Sequence, residues 1–121
     1  MTIINFDARS SRGATAVIDL LCGRTSVTPS DGSSYTDEYD KVEAAGGTVV
    51  YYDDSDALYI HAKAVVADYG TSSAKVFLGS QNFTSTSLNS NRELGLIITD
   101  AAVISSVNAT LATDFAGGTA Y

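Results

Sequence analysis

The side chains able to do chemistry crowd into residues 58–95, LYIHAKAVVADYGTSSAKVFLGSQNFTSTSLNSNRELG. The chain's only histidine, His61, is followed two positions later by Lys63, and Asp68 comes next. A turn-like run, Gly79-Ser80-Gln81-Asn82-Phe83, and then Asn91-Arg92-Glu93 complete the set. In an extended chain, residues two apart point the same way, so His61 and Lys63 are expected to project together. Ile60, Ala62 and Ala64 would then face the core. An imidazole with an unperturbed pKa of about 6.5 can attack or shuttle protons near neutral pH. An ammonium beside it neutralises negative charge, so the pair suits an anionic substrate such as a phosphoester. Taken singly, each group has an ordinary explanation. A lone histidine beside apolar residues is more often structural than catalytic. Lys63 could be a solvated sheet lysine, the Gly79–Asn82 run a strand-ending turn, and Glu93 a partner for Arg92 or Lys75. Their occurrence together is harder to explain that way.

The elements that must position these groups read as an alternation of strands and helices. Residues 2–6 (TIINF) form a β-branched apolar run, and residues 8–13 break it. Residues 14–22 (ATAVIDLLC) place Ala14, Val17, Ile18 and Leu21 at helical spacing, which predicts a helix stopped by Gly23. Residues 25–29 read as a short edge strand and residues 30–35 as a loop. A helix is predicted over residues 36–45, with Thr36 as N-cap and Gly46-Gly47 ending it. Residues 48–52 (TVVYY) read as a strand, 53–57 as an acidic loop, and 64–67 (AVVA) and 75–78 (KVFL) as a hairpin joined by residues 69–74. Residues 83–91 form a Ser/Thr/Asn loop with a short helical turn. Residues 94–98 (LGLII) are a strand, and Asp100 caps a last helix running to about Phe115. The tail AGGTAY is expected to fray. The alternation predicts an α/β fold, a mixed β-sheet flanked by helices.

With 121 residues the chain has the length of one domain, and 45% hydrophobic residues can bury a core. No apolar run reaches membrane-span length, and the N-terminus lacks a signal-peptide pattern. The expectation is a soluble chain whose compartment stays open, secretion after loss of a leader included. A formal charge of −7 repels phosphate backbones and anionic membranes. Asp37, Glu38, Asp40, Glu43, Asp53, Asp54 and Asp56 precede the histidine, whereas Lys63, Lys75 and Arg92 lie in the motif region. A locally positive site on an acidic body is therefore compatible with the composition. The single Cys22 excludes an internal disulfide and reads as a small apolar side chain.

The set His61-x-Lys63-x4-Asp68, Gly79-Ser80-x-Asn82-Phe83 and Asn91-x-Glu93 resembles the HKD signature of the phospholipase D superfamily. The resemblance is strongest over residues 46–115 and looser before them. It implies a phospholipase D-like half domain over residues 1–121, similar to the C-terminal half of a tandem enzyme or to a truncated single-motif member. The spacing from Asp68 to Gly79 is a few residues longer than in the tightest family pattern, and the hairpin tip can absorb the difference. The family builds its site from two HKD motifs, and this chain, with one histidine, supplies one. The second is expected from a homodimer mate or from another chain. A first strand and helix carried by single-motif members are missing ahead of TIINF, so the domain is expected to be incomplete at its N-terminus.

The implied mechanism is a two-step displacement at phosphorus through a phosphohistidine. His61 would be nucleophile or general acid, and Lys63 and Asn82 would hold non-bridging phosphate oxygens with Ser80 assisting. Glu93 would orient an imidazole, as a triad carboxylate does. Asp68 belongs to the catalytic motif, although its place at a strand end fits a structural part. The chemistry implies no metal and no cofactor, and one His with one Cys offers no zinc set. The favoured substrate is a phosphodiester, a phospholipid headgroup before nucleic acid. The alternatives are a single-motif endonuclease dimer, which the charge disfavours, and a noncatalytic half that needs a second HKD-bearing chain.

Overall fold

A computed structural model of the chain describes residues 2–6, 8–9, 15–16, 20–22, 36–52, 60–82 and 85–121, with side chains described from Tyr39 onward. The first elements are β1 (Thr2–Phe6), β2 (Ala8–Arg9), β3 (Thr15–Ala16), β4 (Leu20–Cys22), α1 (Thr36–Ala44) and β5 (Gly47–Tyr51). They are followed by β6 (Ala64–Ala67), β7 (Lys75–Gly79), α2 (Ser85–Asn89), β8 (Gly95–Ile98), α3 (Ala101–Gly117) and β9 (Thr119–Ala120). The strands form a sheet ordered β4-β1-β5-β9, a β2-β3 pair, and a sheet ordered β6-β7-β8. Every pairing among the described strands is antiparallel. Sheets flanked by helices give the expected α/β class.

α3 fastens the two larger sheets together. The Asp100 carboxylate accepts the amides of Ala102 and Val103, both at 3.0 Å, and so satisfies two donors that the first turn leaves without helical partners. Ile104, Val107, Leu111 and Phe115 recur at helical spacing and pack with Val50, Ala64, Val66 and Val76 in one core. The helix touches β1, β6 and β7. Burying a side chain such as Ile104 or Leu111 stabilises by about 1.5–3 kcal/mol. β6 and β7 expose little of their core face: Val66 and Val76 are both fully buried.

Two expectations are corrected. Of the residues expected to form a helix over 14–22, the described ones are strands, Thr15–Ala16 in β3 and Leu20–Cys22 in β4, and β4 pairs with β1 in the register Ile3↔Leu21 and Ile4↔Leu20. The helical spacing of their apolar residues is real, but pairing with the β-branched run of β1 decides the local structure. The tail does not fray either. β9 pairs with β5, and the Tyr121 amide bonds the Val49 carbonyl at 3.0 Å. The Tyr121 ring meets Tyr39 edge-on at 5.1 Å, and its hydroxyl donates to Asp40 at 3.0 Å. The strand and loop expected over residues 25–35 and the acidic loop at 53–57 lie wholly outside the described residues.

Candidate active site

An antiparallel three-stranded sheet brings the start of β6, the end of β7 and the start of β8 to one end. Two backbone bonds extend the ladders there. The Gly79 amide donates to the Lys63 carbonyl at 3.0 Å, and the Ser80 amide to the Leu94 carbonyl at 3.0 Å. Lys63, Ser80 and Glu93 are thereby neighbours, although 30 positions of sequence separate the first from the last.

Glu93 is the hub. Its Oε2 accepts the Ser80 hydroxyl at 2.6 Å, and its Oε1 accepts the Ser87 hydroxyl at 2.6 Å and the Asn91 amide at 3.2 Å. Short bonds of this kind mark an ionised acceptor. The Ser80 hydroxyl is the largest influence holding the Glu93 carboxyl below its ordinary value, followed by Ser87 and Asn91. Partial burial opposes them, and the Lys63 ammonium adds a smaller lowering.

Lys63 is not the solvated lysine that its strand position allowed. It is 4% exposed, and its Nζ donates to the His61 carbonyl at 2.8 Å. His61 itself is exposed. The expected alternation of faces is corrected here. Ile60 packs against the core and Ala64 is buried, but Ala62 is exposed while Lys63 turns inward. Residues 61–63 precede β6 rather than belonging to it, so the two-residue period does not govern them.

Ser80 and Asn82 reach the same end. The Ser80 hydroxyl hydrogen points at Glu93 and its oxygen receives the Leu94 amide at 3.2 Å, so both of its functions are engaged within the site. Asn82 is exposed, and its backbone amide donates to Ser87 Oγ at 3.0 Å. Phe83 lies outside the described residues. Gly79 and Gly95 face each other across β7 and β8, with the Phe77 ring and the Gln81 amide lying over both. A Cβ at either position would come within 2.6 Å of the Phe77 ring, so only glycine admits this close approach.

Asp68 is not brought to this group. It follows β6 at the opposite end, with φ of 54°, about 16 Å of extended chain from Lys63. Ser87, by contrast, belongs to the group and went unread in the sequence. It is 3% exposed and directly follows two exposed hydroxyl residues, Ser85 and Thr86, on α2. Only its burial distinguishes it from them.

A family model described as the PLD-like domain of cardiolipin synthase matches residues 5–115. The chain belongs to the phospholipase D-like family. Comparisons with curated proteins and with solved structures give no match. Phospholipase D-like membership supports a phosphodiesterase-type hydrolase function in general terms. Among the described residues of this phospholipase D-like chain, no group of three His, Cys, Asp or Glu side chains could hold a metal ion. No described helix is long and apolar enough to cross a membrane.

Proposed function

We propose that the chain is one half of a phospholipase D-type phosphodiesterase, a single half domain over residues 1–121 that acts with a second HKD motif. The observation that carries this reading is the convergence of Lys63, Ser80, Asn82 and Glu93 at the end of the sheet reached by exposed His61. In this reading an imidazole nitrogen of His61 attacks phosphorus, the bond to the leaving alcohol breaks, and the second motif's histidine gives that oxygen its proton. Water, deprotonated by the same second histidine, then attacks phosphorus and releases His61. With the roles exchanged, His61 is the acid. The buried Lys63 ammonium supplies positive charge beneath the site, and Asn82 holds a non-bridging oxygen. Anionic Glu93 can accept an imidazole N–H and fix its orientation. Ser80 assists through Glu93, because its hydroxyl hydrogen is already donated there.

A phospholipid headgroup is the favoured diester. The −7 charge disfavours a nucleic-acid backbone, since an acidic body gains nothing from counterion release.

Light scattering combined with turnover of bis(p-nitrophenyl) phosphate tests the reading. A dimer whose turnover disappears in both His61→Ala and Lys63→Ala supports a self-sufficient enzyme. An inactive monomer that gains turnover only with another HKD-bearing chain supports a half site completed in trans. Turnover untouched by His61→Ala overturns the mechanism. Choline or ethanolamine release from vesicles, set against DNA nicking at low salt, separates the lipid from the nuclease assignment.

A further inference from the structure

We infer that Ser87 is a positioning residue that ties the Asn82 backbone to the Glu93 carboxylate, and so sets the spacing between the phosphate-holding and imidazole-orienting sides of the site. The functional consequence rests on the phosphodiesterase reading above; the tie itself does not.

The geometry fixes the direction of every proton in it. A serine hydroxyl has one hydrogen and an oxygen that accepts. The Asn82 amide can only donate, and it donates to Ser87 Oγ at 3.0 Å. Ionised Glu93 can only accept, so the Ser87 hydrogen goes to Oε1 at 2.6 Å. The result is a directed chain, amide to hydroxyl to carboxylate, in which each bond polarises the next. Burial at 3% exposure keeps water from substituting for either partner.

Ser80 builds the matching chain on the other carboxylate oxygen. The Leu94 amide donates to Ser80 Oγ at 3.2 Å, and the Ser80 hydroxyl donates to Oε2 at 2.6 Å. The two chains differ in what they add. Ser80 and Leu94 are already joined by a backbone bond at 3.0 Å, so the Ser80 chain repeats a connection that the β7–β8 ladder makes. Asn82 lies past the end of that ladder. Among the described residues, the Ser87 bond is what links its amide to the β8 side of the site. Loss of the Ser87 hydroxyl therefore releases Asn82, whereas loss of Ser80 leaves a ladder bond behind.

The test follows the Asn82 backbone amide and the Glu93 side-chain carboxyl carbon by NMR through a pH titration of the unsubstituted chain, Ser87→Ala and Ser87→Thr. In the unsubstituted chain the Asn82 amide shifts with the same midpoint as Glu93. In Ser87→Ala that response shrinks by more than half and the Glu93 midpoint moves up toward the ordinary carboxylate value. Ser87→Thr keeps a hydroxyl and restores both. In the active assembly, kcat/KM for bis(p-nitrophenyl) phosphate falls on the order of ten- to a hundredfold in Ser87→Ala, the scale of a small misplacement of a binding group. An Asn82 amide indifferent to the Glu93 titration in the unsubstituted chain overturns the tie, whether or not either variant folds. An unchanged Glu93 midpoint in a folded Ser87→Ala does the same. Turnover that survives His61→Ala, with Asn82 and Glu93 still titrating together, sinks the phosphodiesterase reading and leaves the tie standing.

Discussion

The two ends of the β6-β7-β8 sheet use similar polar residues for different work. At the Asp68 end, the Asp68 carbonyl accepts the Thr71 amide at 3.1 Å and the Thr71 hydroxyl at 2.8 Å. The Thr71 hydroxyl then accepts the Ser73 amide at 3.1 Å. Every one of these bonds joins residues no more than three apart, so a local turn explains them all. At the Glu93 end, the bonds between Ser80 and Glu93 and between Leu94 and Ser80 span 13 and 14 positions, and they meet on one negative charge. A turn needs only its own residues. The convergence on Glu93 exists only when β7 and β8 are in register, which ties that end to the fold.

The strongest way to break the contrast is to remove the strand between the two ends. Val66 is fully exposed to the core and to no solvent, so Val66→Asp buries an unpaired charge and costs more than about 4 kcal/mol. A urea melt should find it largely unfolded, with half-buried Val65→Asp less affected. Next comes the exposed imidazole. His61→Asn should lower turnover by about 10²–10⁴-fold, the scale of a lost acid–base group, and leave the melting temperature nearly unchanged. A large loss of stability would mean that His61 belongs to the core.

Glu93→Gln sharpens the contrast through pH. The folded-state pKa of Glu93 lies below its unfolded value, so between the two the unfolded chain binds more protons. Its stabilisation is complete above the unfolded carboxylate pKa, about 4.3, and is lost as pH falls through the folded value. Urea melts across the acid range should therefore show a shallower loss of stability in Glu93→Gln than in the unsubstituted chain. The smallest effect belongs to the other end. Asn tolerates the left-handed backbone of Asp68, so Asp68→Asn should change stability by about 0.5 kcal/mol or less and turnover less than any site substitution. A loss of turnover in Asp68→Asn equal to that of Lys63→Ala would erase the distinction between the ends.

Much of the second half was legible because its signals are local. The AVVA and KVFL runs, the turn between them and the Asp100 cap each declare themselves within a few residues, and β6, β7 and α3 form where they indicate. The region around β4 was not legible, because residues 14–22 satisfy a helical spacing whereas pairing with distant β1 makes Leu20–Cys22 a strand. The tail misled for a steric reason. A chain terminus is expected to fray, but a Cβ at Gly117 or Gly118 would come within 2.6 Å of the Tyr52 hydroxyl or 2.7 Å of Val50, so the two glycines let the chain pass closely enough for β9 to pair. In the site, the motif residues announce their types and spacing. The burial of Lys63 and the role of Ser87 do not show in the sequence, because both depend on segments that meet only in three dimensions.

The inward turn of Lys63 has a practical consequence for anyone following this end of the molecule in solution. Lys41 and Lys75 are exposed, whereas Lys63 is 4% exposed. An amine-acylating reagent should therefore mark Lys41 and Lys75 early and Lys63 late in a mass-spectrometric time course. The delay at Lys63 reports how often the Glu93 end opens. A phosphoester that seats there should lengthen that delay while leaving the Lys75 clock unchanged, turning one buried amine into an internal gauge of occupancy.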